Sequence, residues 1–361
     1  MLMVGIACAL AGLLMLSNKK NIKWVIAIVA FVLVIISAFC FHPTPETDLQ
    51  RYYDIMGYVK TGGWKIFDGF SYTKGLYLFR LLFYVLAMFD KETWLPIIAV
   101  LICYLLFMMF LNSKTETISP STITARKKLL SFYLLILPFY QIVCGIRFWV
   151  CVILILILMY IDIIEKKHQK LCFLAYLILT QFHTCAFIFI AFRVLLYLTH
   201  RLKQKHKMLI ALLFIIYQPI VMFLNSNGFF RIFGSTVYNL IYRMQFYLNG
   251  TSQISVTKYV FAVANLIFAI MAVNKYHKKT DNYEYNELVK YMVCFTIGGY
   301  YNFDLFYRFS YVSILFSFPL LYEELSNKKN RGITLIEGMS FVIVVLNLLN
   351  HVLTEGYNYI F

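Results

Sequence analysis

Charge is what this chain has least of. Only 14% of its 361 residues are Asp, Glu, Lys or Arg, where a soluble domain carries about a quarter. Acids are the scarcer half, 17 against 33 basic residues, for a formal net charge of +16. Seven prolines and 16 glycines are too few for a collagen-like or low-complexity chain. The eight cysteines have no CxxC spacing and no clustering with His. Nearly all sit in apolar runs, as small buried hydrophobes rather than a disulfide frame or a metal site. There is no HExxH, no DxD, no Walker loop and no GxSxG. These absences exclude a soluble enzyme, a disordered tail and a secreted disulfide scaffold.

What the chain has instead is apolar mass, 61% of all residues, in blocks bounded by short charged clusters. About 20 residues make one spanning helix, somewhat fewer where protein shields the ends. The pattern predicts an all-α, polytopic integral membrane protein of about twelve membrane helices: 2–16, 24–41, 94–112, 129–146, 148–164, 171–182, 184–199, 208–224, 257–273, 288–303, 309–322 and 333–350. The first block lacks a basic n-region and a small-residue cleavage site, so it reads as a retained helix rather than a signal peptide. The apolar stretch 76–89 is too short to span and would invert every later loop, so it reads as an interfacial or re-entrant helix. The pair 171–182 and 184–199 is also short and has basic flanks on both sides. It reads as a hairpin with its tip near Gln181–Thr184, inside the membrane, where non-helical backbone needs protein or a wet cavity around it.

Most of the Lys and Arg fall in six short connectors, around Lys19, Lys127, Lys167, Lys203, Lys278 and Lys328. The positive-inside rule puts these in the cytoplasm. The net charge then reports orientation and contact with anionic lipid, and nucleic-acid binding is not needed to explain it. The expected topology is a single transmembrane domain, 1–361, with both ends outside and two external regions, 42–93 and 225–256. External-loop helices accompany the spans.

That topology gathers polar groups on the outer face: the segment from His42 to Gly69, Arg147 in CGIRFWV, His183 in QFHTCAF, and Asp304 with Arg308 in YNFDLFYR. Arg193 lies in the middle of an apolar segment. Charges at membrane depth cost several kcal/mol by insertion scales and mark pathways or sites. Each has a plainer reading. Arg147 could snorkel to headgroups, His183 could be a satisfied core histidine, Arg308 could pair with Asp304 at i, i+4, and Asp48 with Arg51 could be a surface pair. Arg231 and Arg243 read as solvated loop residues. Several arginines beside a carboxylate suit a phosphate or pyrophosphate gripped bidentately, plus a general base. Glu46 and Asp48 alone supply too few oxygens for Mg²⁺.

The run TDLQRYYDIM, then GIR at a helix start, then FHTCAFI about 35 residues on, resembles the EpsG-type family of Wzy-like bacterial polysaccharide polymerases. The resemblance covers most of the chain in order and spacing. It implies an acid-plus-aromatic motif in the first external loop (Asp48, Arg51, Tyr52, Tyr53), a GIRQ-like motif (Gly145, Ile146, Arg147) and an FH motif (Phe182, His183, Thr184). One departure is Phe148, where the family often has Gln; Gln141 or Gln181 could supply that contact. The implied fold is similar to the multi-span glycosyltransferases of the C class. The implied activity is metal-independent and needs no cofactor: joining oligosaccharide repeat units carried on undecaprenyl pyrophosphate at the outer face of the bacterial cytoplasmic membrane, to make O-antigen, capsule or exopolysaccharide. Asp48, with His183 as its rival, would be the base. Arg147, Arg308, Arg193 and Arg51 would hold pyrophosphate, and Tyr52, Tyr53 and Trp64 would meet sugars. A chain-length regulator and a flippase are the implied partners, besides membrane lipids and the lipid-linked repeat units. The competing readings are a transporter or flippase for the lipid-linked oligosaccharide, a single-sugar glycosyltransferase or ligase, and a scaffold or acyltransferase-like protein.

Overall fold

In helix α2 (Ile22–Ile35) the apolar residues divide by face. Ile22, Ile26, Val29, Ala30 and Leu33 are buried, while Trp24, Ile28, Phe31 and Ile35 are exposed on the other side at the same helical spacing. A helix apolar all round, with one face left uncovered, is built for lipid. The computed structural model describes residues 2–41, 43, 45, 47–70, 75–118, 123–227, 256–275, 283–326 and 332–355. Among them every regular element is helical, and each of the twelve apolar segments is helix over most of its length. Among the described residues, four helices are long and apolar enough to cross a membrane: Ile22–Phe39, Trp94–Glu116, Ile146–Ile164 and Val256–Asn274. A fifth would form if Gln204–Ile215 and Tyr217–Leu224, bent by 60°, count as one span. The remaining expected spans are shorter helices or are broken.

Proline makes the breaks. The segment expected as one helix over 129–146 is two, α7 (Ile123–Ile136) and α8 (Phe139–Cys144), separated at Pro138. The segment 208–224 breaks before Pro219 and 309–322 breaks before Pro319. A proline cannot donate to the carbonyl four residues back, so each helix ends within a turn upstream. At Pro138 other side chains take the exposed carbonyls. Tyr104 Oη donates to Leu137 O at 3.1 Å, and Asn347 Nδ2 to Leu135 O at 2.6 Å.

The chain packs as two compact units. One is Met1–Ala191 with Tyr322–Asn330 and Asn347–Phe361; the other is Phe192–Leu321 with Arg331–Leu346. In the first, α1 (Leu2–Leu16) lies against α7, and Ser131 Oγ donates to Ala11 O across the contact. The segment 42–93, expected outside the membrane, forms α3 (Asp48–Gly62), a 3-10 turn (Trp64–Gly69) and α4 (Tyr77–Met88), with α3 packed on α4. The expected short helix over 76–89 is therefore present as α4. Thr47 caps α3 by accepting from Gln50 N at 3.3 Å, and Gly63 ends it at φ 65. Helix α9 (Ile146–Met159) and helix α10 (Gln169–Thr180) pack together, and a turn over 181–185 leads into α11 (Ala186–Thr199).

In the second unit, α12 (Gln204–Ile215) packs on Tyr283–Gly298, which packs on Phe303–Phe316. Gly298 is required there. A Cβ at this position would stand 2.0 Å from Phe214 O, a carbonyl in the last turn of α12 just before the Pro219 break. Tyr217 stacks on Phe295 at 4.9 Å beside it. Asp304 and Arg308 lie in the first and second turns of Phe303–Phe316, which Asn302 caps, rather than in a connector. The segment 225–256, expected as a second external region, lies almost wholly outside the described residues. So do Glu46, Arg231 and Arg243.

Candidate functional site

The GIR motif is a helix start, and its glycine has a physical reason. Gly145 N donates to Gln141 O at 2.6 Å, and a Cβ on Gly145 would press to 2.9 Å of that same carbonyl. This tight turn joins α8 to α9 and sets Arg147 in the first turn of α9.

Arg147 is engaged by aromatic side chains. Its Nε donates to Tyr52 Oη at 3.0 Å. Its guanidinium carbon stands 4.8 Å from the Phe79 ring centre and 5.4 Å from that of Tyr52. A cation over desolvated rings gains from the ring quadrupole and has its rotamer fixed. The rings are themselves fixed. Tyr52 meets Phe79 edge-on at 5.5 Å and Phe83 at 5.2 Å, and all three are buried. Tyr52, expected as a sugar platform, is 2% exposed and serves Arg147 instead of presenting a face.

The His183 turn joins the same cluster. Phe79 N donates to Gln181 O at 3.4 Å, and the Phe182 ring meets Phe79 edge-on at 5.5 Å. His183 stands edge-on to Phe148 at 5.8 Å, so Phe148 fills the position next to the arginine with a ring contact. His183 Nδ1 accepts from Cys185 N at 3.0 Å. A ring nitrogen that accepts carries no proton, so the neutral imidazole bears its proton on Nε2 and acts there as a donor.

Asp48 opens α3 and pairs with Arg51 at 3.2 Å, both partly exposed. Asp48 and Tyr52 are at i, i+4, so the acid stands one turn above the tyrosine on the same helix face. Tyr53 is largely enclosed, and burial raises its phenol above the ordinary value, with Cys144 and Glu92 adding to the effect. Trp64 is 37% exposed and meets Phe67 and Tyr84 edge-on. Arg193 and Arg308 belong to the second unit.

Helix α4, expected as an interfacial or re-entrant helix, supplies Phe79 and Phe83. Their i, i+4 spacing in an apolar helix was the available signal. Arg80, beside Phe79, is 4% exposed. It donates to Asp68 Oδ1 and Phe67 O, both at 3.1 Å, and so fastens the 3-10 turn to α4.

Three motifs far apart in the chain, on α3, at the start of α9 and in the turn after α10, thus meet around Tyr52 and Phe79. The chain belongs to the EpsG family, whose family model matches residues 9–361. That makes it a membrane protein of polysaccharide biosynthesis. No curated protein and no solved structure matches it.

Proposed function

We propose that this protein is a polysaccharide polymerase. It joins oligosaccharide repeat units linked to undecaprenyl pyrophosphate at the outer face of the bacterial cytoplasmic membrane. The observation that carries the reading is Arg147: a guanidinium held by Tyr52 and Phe79, with Phe79 also meeting the His183 turn and Tyr52 one turn from Asp48 on α3. A fixed planar fork is what a pyrophosphate leaving group requires, and a snorkelling arginine needs none of these supports.

In this mechanism a hydroxyl of the acceptor unit attacks the anomeric carbon of the growing chain. The bond from that carbon to the pyrophosphate oxygen breaks, and the electron pair leaves with the pyrophosphate. Asp48 accepts the hydroxyl proton. Arg147, through its terminal amino groups, stabilises the charge that develops on the leaving group. His183 donates from Nε2 rather than acting as the base, because Nδ1 is already an acceptor for Cys185 N. Trp64, partly exposed, meets a sugar of the substrate. Pyrophosphate leaves readily, so no metal is required.

The test is reconstitution. Purified protein given lipid-linked repeat units in excess EDTA should build a ladder of lengthening chains. Single units moved across a vesicle membrane without lengthening would make it a transporter. Lengthening only after Mg²⁺ is restored would make the acids of the first external loop metal ligands.

A further inference from the structure

Arg126 lies in the first turn and a half of α7, far from the site above in sequence and used by none of its chemistry. It is 1% exposed. Its Nη1 faces Glu116 Oε2 at 3.8 Å. Its Nε and Nη2 are buried and have no hydrogen-bond partner among the described residues. A buried orphan donor costs about 1–3 kcal/mol, more when charged, so two on one side chain call for a partner.

The two orphans are neighbours. Nε and Nη2 form the side-on edge of the guanidinium, whose parallel N–H bonds match two oxygens of one phosphate or carboxylate. The charge around them favours an anion. Lys19 stands 3.5 Å from Glu116 Oε1, so two cations share one carboxylate. Lys127 Nζ is committed to Met15 O and Ser17 O, each at 2.7 Å, which closes the end of α1 onto the start of α7. Helical side chains tilt toward their own N-terminus, where the leading N–H groups of α7 also lack intrahelical partners. Arg126 thus sits where the end of α1, the end of helix Phe107–Ile118 and the start of α7 meet, at the step from apolar helix to basic connector. Basic residues at such a step attract anionic headgroups.

We propose that the Nε/Nη2 edge of Arg126 binds a phosphate group, borne by an anionic lipid headgroup or by free phosphate. Glu116 competes with it for the same guanidinium.

The experiment titrates purified full-length protein, in detergent, with dioctanoyl phosphatidylglycerol, dioctanoylglycerol and inorganic phosphate, read by native mass spectrometry. The phosphatidylglycerol should bind and the phosphate-free dioctanoylglycerol should not. Arg126→Lys keeps the charge but loses the planar edge, and should weaken phosphatidylglycerol binding about tenfold. Glu116→Gln removes the competitor and should tighten it. Displacement of the lipid by millimolar phosphate assigns the site to free phosphate, and resistance to it assigns the site to the headgroup. Equal binding by wild type and Arg126→Lys overturns the proposal. If Arg126→Lys does not fold, Glu116→Gln decides alone: unchanged or weaker binding in that variant overturns it.

Discussion

Arg147 and Tyr52 are 95 positions apart in the chain, and Nε of one lies 3.0 Å from the hydroxyl of the other. The bond links the GIR helix start to α3. It also explains why a tyrosine with 2% exposure occupies a loop motif. Tyr52→Phe keeps the ring, its contacts with Phe79 and Phe83, and the fold, while removing the acceptor. A hydrogen bond to a charged group is worth about 1.5–3 kcal/mol. If that acts in the transition state, chain growth should slow by roughly 10- to 100-fold. Tyr52→Ala should also lower the amount of folded protein, by opening a cavity in the ring cluster. Surface-polysaccharide ladders at matched membrane abundance read both effects. A normal ladder from Tyr52→Phe would remove Tyr52 from any positioning role.

Arg147→Lys separates site from surface. Lysine keeps the charge and reaches headgroups as well as arginine does, so a snorkelling residue would tolerate it. It has no planar fork, so the donors left after one bonds Tyr52 are not held parallel toward a phosphate. The expected outcome is a strong loss of polymer with normal insertion. A wild-type ladder would return Arg147 to the membrane surface and take the proposed mechanism with it.

Hydropathy located the helices well and their geometry poorly. The bounds of α1, Leu2–Leu16, are those of the apolar block, because nothing interrupts it. The block around Pro138 read as one span because LILP and FYQIV are apolar on both sides of the proline. A hydropathy average does not register a missing N–H. The same holds at Pro219 and Pro319. Of the site, Asp48, Arg147 and His183 were legible because a polar residue in an apolar context is conspicuous. Phe79 was not, since one more phenylalanine in LYLFRLLFYVLAMF carries no signal until α3 and the Gln181 carbonyl close on it. Arg126 was counted with the basic connectors, and only burial sets it apart.

The turn after α4 should be held by charge across a wide pH range. Lys60 pairs with Asp90 at 2.6 Å and with Glu92, tying the end of α3 to this turn. The hydrogen bonds to Asp90 and then Glu92 raise the Lys60 ammonium above its ordinary 10.5, so its contribution holds below that and fades as pH rises past the raised value. The bond from Lys60 lowers Asp90 below its ordinary 3.8, so that contribution holds above 3.8 and fades as pH falls through the lowered value. Hydrogen exchange of residues 89–93 should be flat from about pH 4 to 10, after correction for intrinsic rates, and Lys60→Met should speed it within that window. Equal protection in the variant would show that the pairs hold nothing.

Gly298→Ala tests the crossing in the second unit. The added methyl would meet the Phe214 carbonyl at 2.0 Å, with Tyr217 at 2.8 Å and Ile215 O at 3.0 Å. Two of the three are backbone, so the helices themselves must separate. Overpacking of this kind costs about 1–3 kcal/mol or more. The detergent-solubilised variant should melt several degrees lower, while Gly57→Ala, with open space around the new methyl, should not.

The division of labour between Asp48 and His183 follows from one hydrogen bond, and one pair of substitutions checks it. His183 Nδ1 accepts from Cys185 N, two residues on, which is the geometry an asparagine side chain also makes in an Asx turn. His183→Asn therefore keeps the turn and removes the Nε2 donor. Asp48→Asn keeps shape and helix start while removing proton acceptance. If Asp48 is the base, its loss should cost about 10²–10⁴-fold, with single repeat units accumulating on the carrier. If His183 is a donor to the leaving group, His183→Asn should slow growth less severely, without abolishing it. A ladder lost with His183→Asn and normal with Asp48→Asn would reverse the assignment and make the imidazole the base, with the Cys185 bond broken during turnover. A ladder normal in both would leave Arg147 as a binding residue with no acid–base partner in this cluster.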